Sequence, residues 1–474
     1  MIFSQLLYIY QSEHYDKLRF IQFVYSHLNW FSLSKRGKID WTLRAKIIMT
    51  FALLLFIFSI YFTFNYAEKI IYCFAEFVLI PFYILIADIL ISPLVLYKKN
   101  NILKQAKNLI NKINNKNSEF LKIGITGSYG KTTIKTVLYS LLQEKYNIFL
   151  VPGNINTDLG IANYLLKNKK DLEKSDILLL EMGAFHIGEI ESICNFIQPN
   201  YSFLTAIGNQ HLERFGSHGN IKKAKFEIVT ATTQKAFVNI SDKNITNYLD
   251  IFNKQKNKQE IISMDINNYE NSENIKNINY LPEFSGISFE YKYKNKYIKC
   301  ETKLIANHII SSIYFCLKLT EILNLSAENI QKGIKNLNHV PHRLEILKNK
   351  QTGVTVIDDS YNGNFDGFIS ALKTLDRASG RKIVLTPGIV ELGKDTKKIH
   401  ENLASIYPSY VDVLLLIKNQ NTKIIKNNIN LNLNIKNNIK IIEYDTVDQA
   451  HADLINVLKK GDTILFQNDL SDNY

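Results

Sequence analysis

The chain has 474 residues, 46% of them hydrophobic and 21% charged, which leaves room for two to four domains at about 100–200 residues each. With only 8 Pro and 20 Gly it is neither collagen-like nor Pro/Gly-rich and disordered, and 4 Cys without a CxxC pair exclude a disulfide scaffold or a structural zinc site. The net charge of +13 comes from lysine spread along the whole chain together with asparagine and isoleucine; no aromatic–basic motif accompanies it, so no nucleic-acid partner is expected.

Residues 1–34 are aromatic-rich (Tyr8, Tyr10, Tyr15, Phe20, Phe23, Tyr25) and amphipathic in places, which suits either a helix on a membrane surface or one partly inserted in it. Residues 47–66 form a run of 20 without a charge, the length that crosses a hydrocarbon core. Residues 70–97 form a second apolar run, interrupted by Glu76, Pro81, Asp88 and Pro93. The two carboxylates also fit a buried helix pair of a soluble protein. The flanks favour a membrane: Lys35, Arg36, Lys38, Arg44 and Lys46 precede the pair, Lys98, Lys99, Lys104 and Lys107 follow it, and the turn holds only Glu68 and Lys69. The positive-inside rule then predicts a hairpin with both ends in the cytoplasm. The run is too long and starts too late for a cleaved signal peptide. Residues 1–99 are thus expected to be membrane-associated, with transmembrane helices at about 47–66 and 70–97. The polar, Lys/Asn-rich residues 100–119 read as a juxtamembrane helix or linker.

From Phe120 the pattern becomes α/β. A short apolar strand, 121–126, leads into Gly127-Ser128-Tyr129-Gly130-Lys131-Thr132-Thr133 and a helix to about Gln143. Strand, glycine loop, Lys-Thr and helix make a P-loop arrangement, in which backbone N–H groups and the helix N-terminus surround phosphate oxygens. Lys131 then bridges the β- and γ-phosphates and the Thr132 hydroxyl sits on Mg²⁺. The generic pattern asks for a glycine where Ile125 stands. The next strand, 177–180, ends in Glu181, where such a sheet places a further Mg²⁺ contact, although a strand-end carboxylate is common without one. His211 follows another strand and is as readily a loop residue as a ligand. Lys225, with Lys222 and Lys223, belongs by default to a solvated basic helix face. Residues 235–300 look like strands and loops attached to this domain. Strands at 354–358, 382–386, 413–417, 440–444 and 463–466 alternate with polar helical stretches, as in an open, mostly parallel sheet.

Taken in order, Thr126–Thr133, Glu181-Met-Gly-Ala184, His211–Ser217, Ala224-Lys225-Phe-Glu-Ile228, His342-Arg343-Leu-Glu345 and Ile357-Asp-Asp-Ser-Tyr-Asn362 resemble the Mur ligases, the ATP-dependent amide-forming ligases of peptidoglycan synthesis. The likeness covers residues 120 to about 470 and implies a P-loop-type central ATPase domain at 120–340 and a Rossmann-like C-terminal domain at 341–474, both α/β, behind the N-terminal transmembrane hairpin. Gly153-Asn-Ile-Asn156, the Asp358-Asp-Ser-Tyr-Asn362 run and Glu391-Leu-Gly393 look most like the subclass that adds D-Ala-D-Ala to UDP-N-acetylmuramoyl-tripeptide.

The resemblance implies roles residue by residue. Thr126, Gly127, Ser128, Gly130, Lys131, Thr132 and Thr133 would hold ATP phosphates, with His308, Arg343 and Asp359 (or Asp358) contacting the nucleotide from elsewhere. Thr132, Glu181 and His211 would hold two Mg²⁺. Lys225 matches a lysine that CO₂ converts to a carbamate, turning an ammonium into an anionic ligand. Asn156 falls on the uridine-nucleotide substrate path. The implied reaction activates a carboxylate as an acyl phosphate and lets a dipeptide amine displace phosphate. The implied partners are UDP-N-acetylmuramoyl-tripeptide, D-Ala-D-Ala, the membrane and other cell-wall enzymes there; the implied place is the cytoplasmic face of a bacterial cytoplasmic membrane.

Three departures stand against the pattern. The family's N-terminal domain for the uridine diphosphate end is not visible, and the hairpin and linker stand in its place. The Gly-x-His-Asn-x-x-Asn segment reads Ala306-Asn307-His308-Ile-Ile-Ser311-Ser312, and Asn-Ala-Asn-Pro reads Asn362-Gly-Asn364-Phe365. The first of these motivates an alternative, a Mur-like ligase of a different substrate, a lipid-linked or other peptide acceptor; a membrane-tethered ATP-binding or scaffold protein without ligase activity is the other alternative.

Overall fold

The computed structural model describes residues 2–13, 15–27, 39–63, 76–208, 212–254, 260–269, 273–338, 342–349, 351–360, 365–389, 392, 395–431 and 439–467. Residues 1–104 form one compact unit and residues 105–472 a second.

The regular secondary structure described in the first unit is all helical. Helices α1 (Ile2–Ser12) and α2 (Lys17–Ser26) precede α3 (Leu43–Thr63) and α4 (Ile80–Lys116). Asp16 caps α2 by accepting from the Leu18 and Arg19 nitrogens at 2.9 and 3.1 Å. Helices α3 and α4 are long and apolar enough, by length and composition, to cross a membrane. Both expose bulky apolar side chains, among them Phe51, Ile57 and Phe62 on α3 and Phe82, Ile89 and Leu94 on α4. The parts of the expected spans at 64–66 and 70–75 lie outside the described residues.

Within the aromatic-rich N-terminal stretch, α1 packs along α3, with Phe3 edge-on to Phe56 at 5.4 Å and Leu6, Leu7 and Tyr10 buried. The two carboxylates that counted against a span are both partnered. Asp88 accepts from the Tyr10 hydroxyl at 2.8 Å and from Arg44 Nε and Nη2 at 3.1 and 2.7 Å. Glu76 accepts from Ser59 Oγ at 2.5 Å and from the Tyr83 hydroxyl. A charge among apolar helices persists only when paired in this way.

Helix α4 is continuous through Lys116, so the polar stretch after residue 100 is its extension. Its period there is helical: Ala106, Leu109, Ile110 and Ile113 are buried, while Lys112 and Asn114 reach Glu173 and Lys122 of the second unit's α/β part at 3.3 and 3.1 Å.

In the second unit a parallel sheet has the order β2-β3-β1-β4-β5-β6. Its strands are β1 (Leu121–Thr126), β2 (Ile148–Leu150), β3 (Ile177–Glu181), β4 (Tyr201–Leu204), β5 (Lys235–Asn239) and β6 (Glu260–Met264). Between them run α5 (Lys131–Leu142), α6 (Asp158–Lys167), α7 (Glu189–Ile197), α8 (His218–Ala231) and α9 (Lys243–Lys254). The strands are almost wholly buried, β3 along its full length, as strands covered by helices on both faces must be. The region 235–300 therefore contributes two strands to this sheet and one helix, α9, that was not expected. An antiparallel ribbon, β7 (Ile275–Leu281), β8 (Gly286–Tyr293) and β9 (Lys296–Thr302), leads into α10 (Asn307–Ile322) and α11 (Ala327–Lys335), both packed on α5.

A second sheet follows, ordered β10-β11-β15-β12-β13-β14, with only the β10–β11 pair antiparallel. Its strands are β10 (Glu345–Asn349), β11 (Val354–Asp359), β12 (Lys382–Thr386), β13 (Val413–Ile417), β14 (Lys440–Tyr444) and β15 (Thr463–Gln467). Helices α12 (Phe365–Leu375), α13 (Thr396–Ile406), α14 (Gln420–Leu431) and α15 (Val447–Val457) connect them.

Candidate active site

The glycine loop between β1 and α5 is shaped by a close approach and a reversal. Gly127 has φ 152°, and a Cβ there would stand 2.0 Å from Thr205 Oγ1 and 2.9 Å from the Ala206 nitrogen at the end of β4, so only glycine fits. Gly130, at φ 84°, is the left-handed residue from which α5 starts. Thr205 Oγ1 donates to the Tyr129 carbonyl at 2.5 Å, and the Ser128 N–H donates to the Ala206 carbonyl at 2.8 Å. Thr126 is fully buried and its hydroxyl donates to the Met182 carbonyl at 2.8 Å, tying β1 to the segment after β3.

Lys131 and Thr132 occupy the first turn of α5. The Lys131 ammonium folds over the loop and donates to the Gly127 and Ser128 carbonyls at 2.6 and 3.4 Å. Burial pushes its pKa below the ordinary lysine range; the Glu181 carboxylate opposes that shift and Arg343 adds to it. Thr132 Oγ1 stands 3.4 Å from Glu181 Oε2, at the end of β3. The other Glu181 oxygen faces the ammonium of Lys135, a residue the sequence did not single out, at 2.8 Å. Asn156 joins this edge: its side chain rests on Gly183, and its carbonyl accepts from the Gly183 N–H at 2.8 Å.

Lys225, on α8, is buried rather than part of a solvated face. Burial and the nearby Lys131 push its amine down to about 7, with Glu189 and Glu227 opposing. Those two carboxylates are occupied with backbone donors. Glu227 accepts from the Gly188 and Glu191 nitrogens at 2.6 and 2.9 Å, and Glu189 from the Phe185 and His186 nitrogens at 2.6 and 3.1 Å.

The C-terminal sheet adds Arg343, which lies between two left-handed non-glycine residues, His342 at φ 61° and Leu344 at φ 49°. The adjacent aspartates separate. Asp358 accepts from His342 Nδ1 at 2.8 Å and from Ser360 Oγ at 2.6 Å. Asp359 instead lines a cleft of about 850 Å³ together with Arg343. Burial pushes its carboxyl up to about 7 against the pull of Arg343 and a hydrogen bond from the Leu344 N–H. Tyr129, Gly130, Thr133, Ser311 and Ser312 line the same cleft from the middle sheet, and Asp366 and Lys373 from α12. Such a volume suits a nucleotide-sized ligand. Asp366 and Lys373 lie seven residues apart on one helix face, and Ser311 and Ser312 lie on the first turns of α10, so each pair had a positional signal.

His211, Asn362, Asn364, Glu391 and Gly393 lie outside the described residues, as does the side chain of His308 at the start of α10. Among the described residues no group of three or more His, Cys, Asp or Glu could hold a metal. Thr132 and Glu181 nevertheless fit one Mg²⁺, which needs few protein donors when phosphate oxygens and water complete its shell. The second ion expected at His211 has no described donor set.

Known proteins match this arrangement. The Mur ligase middle domain model matches residues 125–319, and that of the Mur ligase, glutamate ligase domain, matches 342–467. UDP-N-acetylmuramoyl-tripeptide–D-alanyl-D-alanine ligase of Borreliella burgdorferi is 29% identical over 314 residues, 65% of this chain and 64% of the relative. The Escherichia coli protein of that name is 25% identical over 280 residues, 59% of this chain and 60% of the relative. The chain thus spans less than two thirds of the length of these relatives. Among solved structures, MurF from Acinetobacter baumannii has a TM-score of 0.64 at 23% identity, covering 77% of each chain. MurF ligase from Thermotoga maritima in complex with ADP has a TM-score of 0.62 at 24% identity, covering 78% of this chain and 80% of that one. These two likenesses establish the fold.

Proposed function

The chain belongs to the Mur ligase family, and on that premise we propose that it is an ATP-dependent ligase joining D-Ala-D-Ala to UDP-N-acetylmuramoyl-tripeptide. The observation that carries the reading is the convergence of Lys131, Thr132, Glu181 and a near-neutral buried Lys225 on the glycine loop, beside a cleft that Arg343 and Asp359 close from the C-terminal sheet. A scaffold that merely tethers nucleotide has no need of such a buried cationic and metal-donor set.

The reaction joins two anions before it forms an amide. A substrate carboxylate oxygen attacks the γ-phosphorus of ATP, ADP leaves, and the dipeptide amine then attacks the acyl carbon and expels phosphate. Lys131 holds the transferring phosphoryl oxygens, and the loop N–H groups fix the chain of phosphates. Thr132 and Glu181 would hold a Mg²⁺, which would further neutralise phosphate charge. CO₂ adds to a neutral amine with loss of a proton, and the shifted Lys225 has that form available near neutral pH; as a carbamate it becomes an anion inside a cationic pocket. Arg343 and Asp359 orient the nucleotide and, with the C-terminal sheet above the loop, shield the acyl phosphate from water.

Helices α3 and α4 support a place at the membrane, with the catalytic domains on the cytoplasmic side. They also favour a second reading of the acceptor, a lipid-linked muramoyl peptide. ADP and phosphate release by the purified chain, with ATP, acceptor and D-Ala-D-Ala omitted in turn, tests both readings. Release that requires both peptides, with a pentapeptide product by mass, supports ligation, and the preferred acceptor, soluble or lipid-linked, separates the readings. Release independent of either peptide would refute ligation.

A further inference from the structure

Lys135 stands one turn beyond Thr132 on α5, buried, with its ammonium aimed at the end of β3. Its nitrogen is 2.8 Å from Glu181 Oε1, an ion pair off the direction of a hydrogen bond, and it donates to the Val151 carbonyl after β2 at 3.3 Å. Gly153 closes the pocket around the pair: a Cβ there would stand 2.9 Å from Glu181 Oε1 and 3.0 Å from Lys135 Nζ. The two oxygens of one carboxylate therefore have different neighbours. Oε1 belongs to the ammonium, and Oε2 faces the Thr132 hydroxyl.

A buried ion pair by itself is weak evidence for stability, since an apolar pair of the same shape often serves as well. The informative feature here is its address, one carboxylate oxygen away from the metal-donor hydroxyl. We propose that Lys135 is a positioning residue that sets the metal preference of the nucleotide site, by holding Glu181 so that a cation meets a single carboxylate oxygen. The proposal rests on the ligase reading of that site. Mg²⁺ is small, demands octahedral geometry and accepts single oxygens, whereas Ca²⁺ takes more oxygens and readily binds a carboxylate through both. With Oε1 tied to Lys135, two-oxygen binding is disfavoured and Mg²⁺ is favoured. Without the ammonium, Oε1 is released and Ca²⁺ gains.

Calorimetry of ADP binding to the full chain in detergent micelles, in EDTA, Mg²⁺ and Ca²⁺, tests this without reference to turnover. The metal-dependent gain in ADP affinity is compared between the two ions for the parent chain, Lys135→Met, Lys135→Arg and Gly153→Ala. The Mg²⁺-over-Ca²⁺ ratio is expected to fall about tenfold in Lys135→Met, the size of effect that loss of a partner behind a metal ligand produces, and to be largely retained in Lys135→Arg. Gly153→Ala disturbs the same pair from the opposite side, is expected to lower the ratio as well, and decides the matter if Lys135→Met does not fold. An unchanged ratio in a folded Lys135→Met or Gly153→Ala overturns the proposal. ADP binding by the parent chain that ignores both metals overturns the nucleotide–metal reading itself, a distinct failure.

Discussion

Lys225 shares a buried site with Lys131, and the charge of the second lysine joins burial in pushing the first down from 10.5 to about 7. Between those two values the unfolded amine holds a proton that the folded one has lost, so stability rises with pH across that window and the penalty is greatest below its lower end. The melting temperature of the parent chain is therefore expected to rise between pH 7 and 9 more steeply than that of Lys225→Met, which has no amine to titrate. The same neutral amine predicts carbamylation. Labelled bicarbonate should yield a carbamate carbon resonance in the parent chain and not in Lys225→Met, and small carboxylates should partly restore phosphate release to Lys225→Ala. A parent chain without the resonance, fully active in CO₂-free buffer, would show that the amine acts unmodified.

Lys131 is the cation in direct contact with the glycine-loop carbonyls. Lys131→Ala is expected to lower peptide-dependent phosphate release by about 100-fold or more, the usual loss when one preorganised charge is removed from a transition state. Its melting temperature should change little or rise, because burial opposes its charge. Rate and stability measured on the same preparation separate a lost catalytic contact from a damaged fold.

Much of the frame that carries the candidate site was legible in the sequence because its signals are local. The strand–glycine–Lys-Thr–helix run and the five C-terminal strands depend on neighbours in sequence, and the structure has them within a residue of the expected bounds. Helix α9 carries a local signal too, Ile245, Leu249 and Phe252 on one buried face, hidden among polar residues. What the sequence could not separate depends on partners distant in the chain. Asp358 and Asp359 are neighbours, and only His342 and Ser360, folded against the first, distinguish them. Lys135 looks like any helix lysine until β3 brings Glu181 to it.

Asp359 offers a second pH signature of opposite slope. Its carboxyl is raised from 3.8 to about 7, so across that interval the folded state keeps a proton that the unfolded state has lost, and stability falls as pH rises. Asp359→Asn, which removes the titration at nearly constant shape, is expected to melt higher than the parent at pH 8, by a margin that shrinks markedly at pH 5. The same variant should weaken ADP binding if the carboxylate contacts the nucleotide. A constant difference in melting temperature at both pH values would mean that the group is not buried as a protonated acid.

The boundary between the two units gives a last prediction. Helix α4 crosses it without a break, and its final turns belong to the α/β unit: Ala106, Leu109, Ile110 and Ile113 form one buried face, with Lys112 reaching Glu173 and Lys122 reaching Asn114. A fragment of residues 105–474 keeps that face and sheds the exposed apolar side chains of α3 and of the first half of α4. It is expected to be soluble and to bind ADP with Mg²⁺. A fragment starting at residue 120 loses three large side chains, each worth about 1.5–3 kcal/mol when buried, and uncovers the surface beneath them. It should melt lower, or aggregate, although it retains every residue assigned to the site. Equal melting temperatures for the two fragments would mean that the end of α4 is a spacer rather than part of the domain it touches.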